Sequence, residues 1–463
     1  MSVVNEYRER IISGPLLRTI LWLAWPPIVA SLVNISYNFI DTLWLSRLGA
    51  AEMASPRQAW FILMVIYAVG MGLTAGNTAL ISQYVGAGDF RRASECARQL
   101  LIFALSVGLG FFAFLYVMAP HLLKLLGTPK EIYGFAVNYM RVVSLGVPLG
   151  FAAFALVTIF HAFGDTRTPT MVSIASTILN AVLDPIFIFG LLGLPALGVV
   201  GAAIATVISR SLIALVITPL LIRGYKGIKI SLRGYRFDAS WFKRTVRIGG
   251  PIMVQQVTNA FAFTLLLALV NVFGVVAAAA YTIGMTVINL IEAVLRGFSQ
   301  ATSIIIGQNL GANSHGRAYK AAKLSMAVVG VVLGLGALLL LIFKDPLIAI
   351  FIKEPATHEE AILLMNVFQE TRKLLDLFAI SVPFFGVFFI SMAVARGSGH
   401  TFTVMILSIL RLWAIRLGLS YLLAIVLLWG TTGIWLAMSL SNLFAGLAGA
   451  LWVVRGSWLR RVI

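Results

Sequence analysis

The chain has 463 residues, of which 60% are hydrophobic and only 11% charged, with a mean hydropathy of +0.96 and a net charge of +18. A soluble protein carries roughly 25% charged residues, so this composition cannot clothe a water-facing surface. It excludes a soluble enzyme, a nucleic-acid binder and a disordered chain. In a membrane protein a basic excess belongs to loops beside anionic lipid. The single cysteine, Cys96, excludes an internal disulfide and a cysteine metal cluster. Residues 1–14 are polar and charged, unlike a cleavable leader.

A membrane-crossing helix needs about 20 apolar residues. Twelve such runs follow in order, near 16–46, 58–82, 99–119, 135–160, 170–190, 196–222, 245–272, 276–305, 324–350, 374–395, 401–425 and 430–454. None alternates as a barrel strand would. With both termini inside, 22 of the 35 basic residues fall in inner segments, 8 in outer segments and 5 within or near helices. That asymmetry follows the positive-inside rule. The expected fold is an all-α polytopic membrane protein of twelve transmembrane helices in two six-helix bundles.

The halves repeat. Gln83/Gln308, Gly86/Gly311, Ala87/Ala312, Arg92/Arg317 and Ala93/Ala318 lie 225 residues apart, as do Pro26/Pro251 and Asn34/Asn259. Later matches lie 235 apart: Pro148/Pro383, Gly164/Gly399, Thr166/Thr401 and Gly198/Gly433. Six spans per unit is an even number, so both halves share one orientation, a parallel repeat about a pseudo-two-fold axis along the membrane normal. The expected division is an N-terminal lobe 1–222, a basic cytoplasmic linker 223–247 and a C-terminal lobe 248–463.

An ionisable group at membrane depth costs at least ~2.5–3.5 kcal/mol and is a functional candidate by default. Three of the 17 acidic residues lie inside predicted spans, away from their ends: Asp41, Asp184 and Glu292. Helical spacing puts Asn34, Tyr37, Asn38 and Asp41 on one face of the first span. Ser173, Ser176, Thr177, Asn180 and Asp184 share a face of the fifth, where Pro185 removes a backbone donor. Carboxylate, amide and hydroxyl oxygens suit a proton or a hard cation equally. The repeat places Leu266 opposite Asp41 and Leu419 opposite Asp184, so coupling chemistry is expected in the N-terminal lobe. Glu292 and Arg296 are spaced to neutralise each other. Arg411 and Arg416 are expected to face a watery cavity, with Glu292, Asp376 or an anionic group on a substrate as the counter-charge. Those four residues form a candidate C-lobe polar site. No Walker A motif is present, and the five histidines lack metal spacing.

The elements Tyr37-Asn38-Phe-Ile-Asp41, Asn180-Ala-Val-Leu-Asp184-Pro185, Gly198-Val-Val-Gly201 and Gly307-Gln-Asn-Leu-Gly311-Ala resemble the multidrug and toxic compound extrusion (MATE) family, and within it the DinF-like branch. The resemblance implies a secondary active exporter of drug-like compounds working by alternating access in exchange for H+ or Na+, with no other cofactor. It implies that Asp41, Asn180, Asp184 and Thr206 hold the proton or sodium ion and that the first span bends at Pro26; the polar stripe of Asn34, Tyr37 and Asn38, which cannot face lipid, is expected to line the substrate cavity. Asn259 departs from the glutamate of the NorM-type branch. Ala153, Phe154 and Val157 stand where some DinF-like members carry asparagines. The expected partners are a drug-like small molecule and the bilayer, for a monomer in the cell membrane that binds no nucleic acid. A lipid or lipid-linked oligosaccharide flippase of the same superfamily is the nearer alternative. A polytopic membrane enzyme is the second, although no Asp/His cluster at a loop mouth supports it.

Overall fold

The computed structural model describes residues 3–231, 234–352 and 357–463; for residues 38, 39, 41–43, 46, 50, 51, 53 and 61 it describes the helical backbone only. With no water in hydrocarbon to satisfy amides and carbonyls, a spanning chain must close its hydrogen bonds within itself. Helices accordingly dominate: α1 (Val3–Ser13), α2 (Leu16–Ser46), α3 (Ala50–Gly86), α4 (Phe90–Leu125), α5 (Lys130–Leu145), α6 (Val147–Ala162), α7 (Arg167–Phe189), α8 (Gly198–Arg223), α9 (Ala239–Asn271), α10 (Gly274–Gly311), α11 (His315–Ala349), α12 (His358–Ser398), α13 (Thr401–Ile409), α14 (Gly418–Tyr421) and α15 (Thr431–Arg455).

Among the described residues, eleven helical stretches are long and apolar enough to span a bilayer. The bent pair α5 and α6 makes a twelfth, meeting at 47° around Gly146. Sequence pattern treats that span as one run, because apolar content carries straight through the bend. Pro148 brings no N–H to the start of α6, so a helix restarts there without leaving a donor stranded. In the eleventh span, α13 passes into π-helix over Leu410–Leu417, and α14 into π-helix over Leu422–Val426.

The chain folds as two compact units. The first holds Met1–Met253, Gly307–Ser314 and Arg461–Ile463, the second Val254–Ile306 and His315–Arg460. In the first, Phe151, Leu156, Phe160, Phe163 and Trp241 are sealed in the apolar core. Trp241 donates its indole N–H to Asn77 Oδ1 at 2.8 Å, and Asn77 Nδ2 lies 3.3 Å from Thr245 Oγ1, which ties the start of α9 to α3. In the second, Gly446 and Gly449 of α15 leave room for the Phe384 backbone and the Ser391 side chain of α12.

The internal repeat acquires a physical meaning inside the first unit. A Cβ on Gly86 would lie 1.9 Å from the Gln308 carbonyl oxygen, and one on Gly311 would lie 1.9 Å from the Gln83 carbonyl oxygen. Repeat-related glycines thus admit each other's neighbouring backbone, reciprocally. Side chains lock the contact: Gln308 Nε2 donates to Ala162 O (2.9 Å), and Gln83 Oε1 accepts from the Val462 amide (2.9 Å). Arg8 of α1 donates to the Val85 and Gly86 carbonyls at the end of α3.

A second tie joins the start of α7 to the turn after α8. Asp165 Oδ1 accepts the Arg167 and Thr168 amides, while Oδ2 accepts from Thr168 Oγ1 and from Lys226 Nζ at 2.8 Å. Burial pulls the Lys226 ammonium down, but the Asp165 hydrogen bond and charge, with Tyr7 beside them, hold it above the ordinary lysine value. A raised lysine contributes fully below its unfolded pKa of about 10.4 and fades only as pH climbs through the folded value.

Two predictions follow from these contacts. Gly86→Ala and Gly311→Ala should each destabilise the protein by about 1–3 kcal/mol or more through overpacking against backbone. Gly330→Ala, where a Cβ meets nothing within 4 Å inside α11, should stabilise it by about 0.5–1 kcal/mol. Thermal melts that rank the three alike would refute the close approach. Lys226→Gln should lower the melting temperature by the same interval from about pH 7 to about pH 9.5; a gap closing by about pH 8 would mean a depressed lysine.

Candidate functional site

In the first unit, α7 packs against both α2 and α8. Ser176 Oγ donates to the Ser209 carbonyl, and Gly201 lets α8 approach until its Cβ position is 2.4 Å from the Phe187 carbonyl oxygen. These two crossings bracket the polar stripe and set Thr206 of α8 level with Asn180 of the antiparallel α7. Asp184 is fully buried and Asn180 nearly so. Asn180 Nδ2 donates to Asp184 Oδ1 at 3.0 Å, the four-residue spacing being what lets amide and carboxylate meet on one face. Pro185 lies inside the last turn of α7 and has no N–H to offer Ala181, which leaves a carbonyl beside the carboxylate unpaired within its own helix. Tyr37 is buried, its phenol oxygen 3.5 Å from Thr206 Oγ1, so α2 joins the same cluster.

Among the predicted N-terminal site residues, the structure therefore brings Asn180 to Asp184 and Tyr37 to Thr206. Ser176 is buried on the same stripe, Ser173 and Thr177 are half-buried, and Asn34 is exposed one turn away from Tyr37. The side chains of Asn38 and Asp41 lie outside the described residues; their backbone continues α2 at the turn next to Tyr37. Pro26 is buried beside Pro27 within α2, which runs unbroken from Leu16 to Ser46. A buried carboxylate with a neighbouring amide, hydroxyls and a carbonyl freed by proline can take up a proton or offer oxygen ligands to a hard cation.

The C-terminal candidates divide. Glu292 and Arg296 pair on α10 at 3.3 Å, with side-chain exposures of 27% and 59%. Arg411 and Arg416 do not face open space: each is 4% exposed. Among the described residues neither guanidinium makes an ion pair, because Glu292 is engaged by Arg296 and Asp376 by Lys344. The expected carboxylate partners are replaced by neutral ones on α15. Arg411 Nη1 donates to Asn442 Oδ1 (3.0 Å), Arg416 Nη2 to the same oxygen (2.7 Å), and Arg416 Nε to Ser441 Oγ (2.9 Å). Sequence reasoning passed over Ser441 and Asn442. Their signal was available as Ser439-Leu-Ser441-Asn442, a polar cluster within an apolar span. Asn259 meets Ser408, with Oγ and Oδ1 3.3 Å apart.

The family model described as MatE matches residues 26–186 and 251–422, more than half of the chain and both halves of the repeat. The model described as lipid II flippase MurJ matches a shorter stretch, residues 136–270. The probable multidrug resistance protein YoeA of Bacillus subtilis (strain 168) is 26% identical over 81% of this chain and 79% of its own length. YpnP of the same organism, named in the same way, is 25% identical over 96% of both. A crystal structure of a MATE protein in complex with MaD3S superimposes with a TM-score of 0.89 over 97% of this chain and 98% of that one, at 23% identity, which establishes the fold. The apolar spans, the repeat and the model match over both halves place this chain in the MatE family of membrane transporters.

Proposed function

We propose that the chain is a secondary active exporter of drug-like organic compounds, exchanging them for H+ or Na+ by alternating access. The observation that carries this reading is Asp184, fully buried within an apolar span and hydrogen-bonded by Asn180. Asp41, Asn180, Asp184 and Thr206 form the coupling site, with Asn34, Tyr37 and Asn38 on the substrate side of it. Loading this site neutralises a carboxylate that is costly to keep charged at membrane depth. The loaded and empty forms must favour different conformations, because an ion bound equally in both shifts nothing. Pro26 and Pro27 leave two carbonyls of α2 without helical donors, so this helix bends at low cost and carries the change to the substrate. Lobes 1–222 and 248–463 move as the two bodies, both termini lie on the cytoplasmic side of the cell membrane, and the working unit is a monomer. The N-terminal acids, with Asn259 in place of the NorM-type glutamate, favour the DinF-like branch.

A flippase for a lipid-linked substrate is the second reading, supported by the match of residues 136–270 to the MurJ model and by two arginines buried in one span.

Efflux of a fluorescent cationic dye from proteoliposomes should proceed under an imposed pH gradient or a sodium gradient. Asp184→Asn and Asp41→Asn should each reduce it by about 5–150-fold, the size of a coupling free energy of about 1–3 kcal/mol. The gradient that drives wild type names the ion. Mutants that match wild type would sink the coupling site. A wild type that moves no dye under either gradient, yet translocates a fluorescent pyrophosphate-linked lipid, would replace the exporter with the flippase.

A further inference from the structure

The second unit contains a cationic cluster that the coupling chemistry does not use. Arg411 and Arg416 lie in the π-helical stretch Leu410–Leu417. At 100° per residue an α-helix would turn side chains five apart roughly 140° away from each other. A π-helix bonds residue i to i+5 and brings such a pair onto one face. The unusual winding is thus what gathers both guanidiniums at one point. Doing so concentrates two like charges, and π-turns are rare and frequently mark functional sites.

Their direct partners are neutral, and the Glu292 carboxylate, which acts on both guanidiniums from a distance, is already paired with Arg296. Asn442 Oδ1 is shared by both guanidiniums; Ser441 Oγ and the Met438 carbonyl serve Arg416. Arg411 stands over Phe385 and Phe388, with ring centroids at 5.5 and 5.1 Å, and Arg416 lies 5.9 Å from the Phe263 centroid. These are neutral or weakly polar partners for two charges that are 96% removed from solvent. Arg411 Nε is buried and has no acceptor among the described residues, and neither does the buried hydroxyl of Ser420, one turn beyond Arg416. One carboxylate shared with Arg296 leaves the cluster net positive, and an under-compensated buried charge is costly, so the cluster is poised for an anion.

We infer that Arg411 and Arg416 form a binding site within the second unit for the carboxylate or phosphate group of an organic anion. Two guanidinium forks with one free Nε–H match a planar or tetrahedral oxyanion, which would bridge both cations. The aromatic rings of Phe263, Phe385 and Phe388 offer faces for the apolar remainder. In the exporter reading, on which the transport consequence rests, the substrates include amphipathic anions, and the acids of the first unit and the arginines of the second hold opposite charges. The near-closure of the cluster in this conformation means that the anion enters in another one, the differential binding a transport cycle needs. The anion can be a soluble compound or a lipid headgroup; both present the same oxyanion.

The test is equilibrium binding of carboxyfluorescein to the full-length protein in phosphatidylcholine nanodiscs, read by fluorescence anisotropy. Wild type should bind saturably, and Arg411→Gln and Arg416→Gln should each weaken binding by about tenfold or more, as loss of a charged hydrogen bond implies. Asn442→Asp supplies an internal carboxylate between the two guanidiniums. It should weaken binding at least as much while melting at or above the wild-type temperature, so a folding failure of the glutamine variants does not blunt the test. In nanodiscs containing phosphatidylglycerol, a wild-type affinity that falls identifies a lipid headgroup as the competing occupant, and one that holds identifies a soluble anion; either supports the site. Absence of saturable binding by wild type, or binding that Asn442→Asp leaves within about twofold, overturns it. Anion binding without transport under any gradient would sink the exporter reading alone, whereas cationic dye export without anion binding would sink this site alone.

Discussion

Hydrocarbon offers no partner to a polar group, and that condition governs this molecule from end to end. Every amide and carbonyl in a span must be satisfied within the chain, so the apolar runs become helices of up to 41 residues. Side chains answer to the same condition. The polar residues at depth sit in groups: Asn180 with Asp184, Tyr37 with Thr206, and Arg411 and Arg416 with Ser441 and Asn442. The groups are small and few, as their cost in an apolar medium requires.

Three departures from regular helix lie at these groups. Pro185 follows the buried Asp184, Pro26 and Pro27 lie in the helix that carries Asp41, and the arginine pair lies in the first of two successive π-helical stretches. A carbonyl without its helical donor, or a turn wound one residue too wide, is costly in lipid and tolerable where protein surrounds it. At these three places the irregularity sits where a ligand or a change of conformation can use it.

The two units share a repeat but not a chemistry. Leu266 and Leu419 occupy the positions matching Asp41 and Asp184, and the second unit carries buried cations instead. What the halves share is packing: Gly86 admits the Gln308 backbone, and its repeat-related Gly311 admits the Gln83 backbone. The charged residues differ between the halves: acids sit at depth in the first unit and a pair of arginines in the second.

Much of this could be read from the amino-acid order. The number of spans, the internal repeat and the buried stripe ending at Asp184 follow from apolar run length and the 3.6-residue period, which are local properties. The N-terminal helix α1 escaped that reading because its pattern is short and polar, and the bend between α5 and α6 escaped because hydropathy does not register direction. The partners of Arg411 and Arg416 could not be found locally. Helical spacing puts Glu292 near Arg296, but choosing Asn442 over Asp376 depends on which helix lies against the π-wound segment. Apolar periodicity determined by itself that the chain spans a membrane and where its acids lie. Only the tertiary structure decided which charges are compensated, because compensation is a matter of distances between helices far apart in sequence.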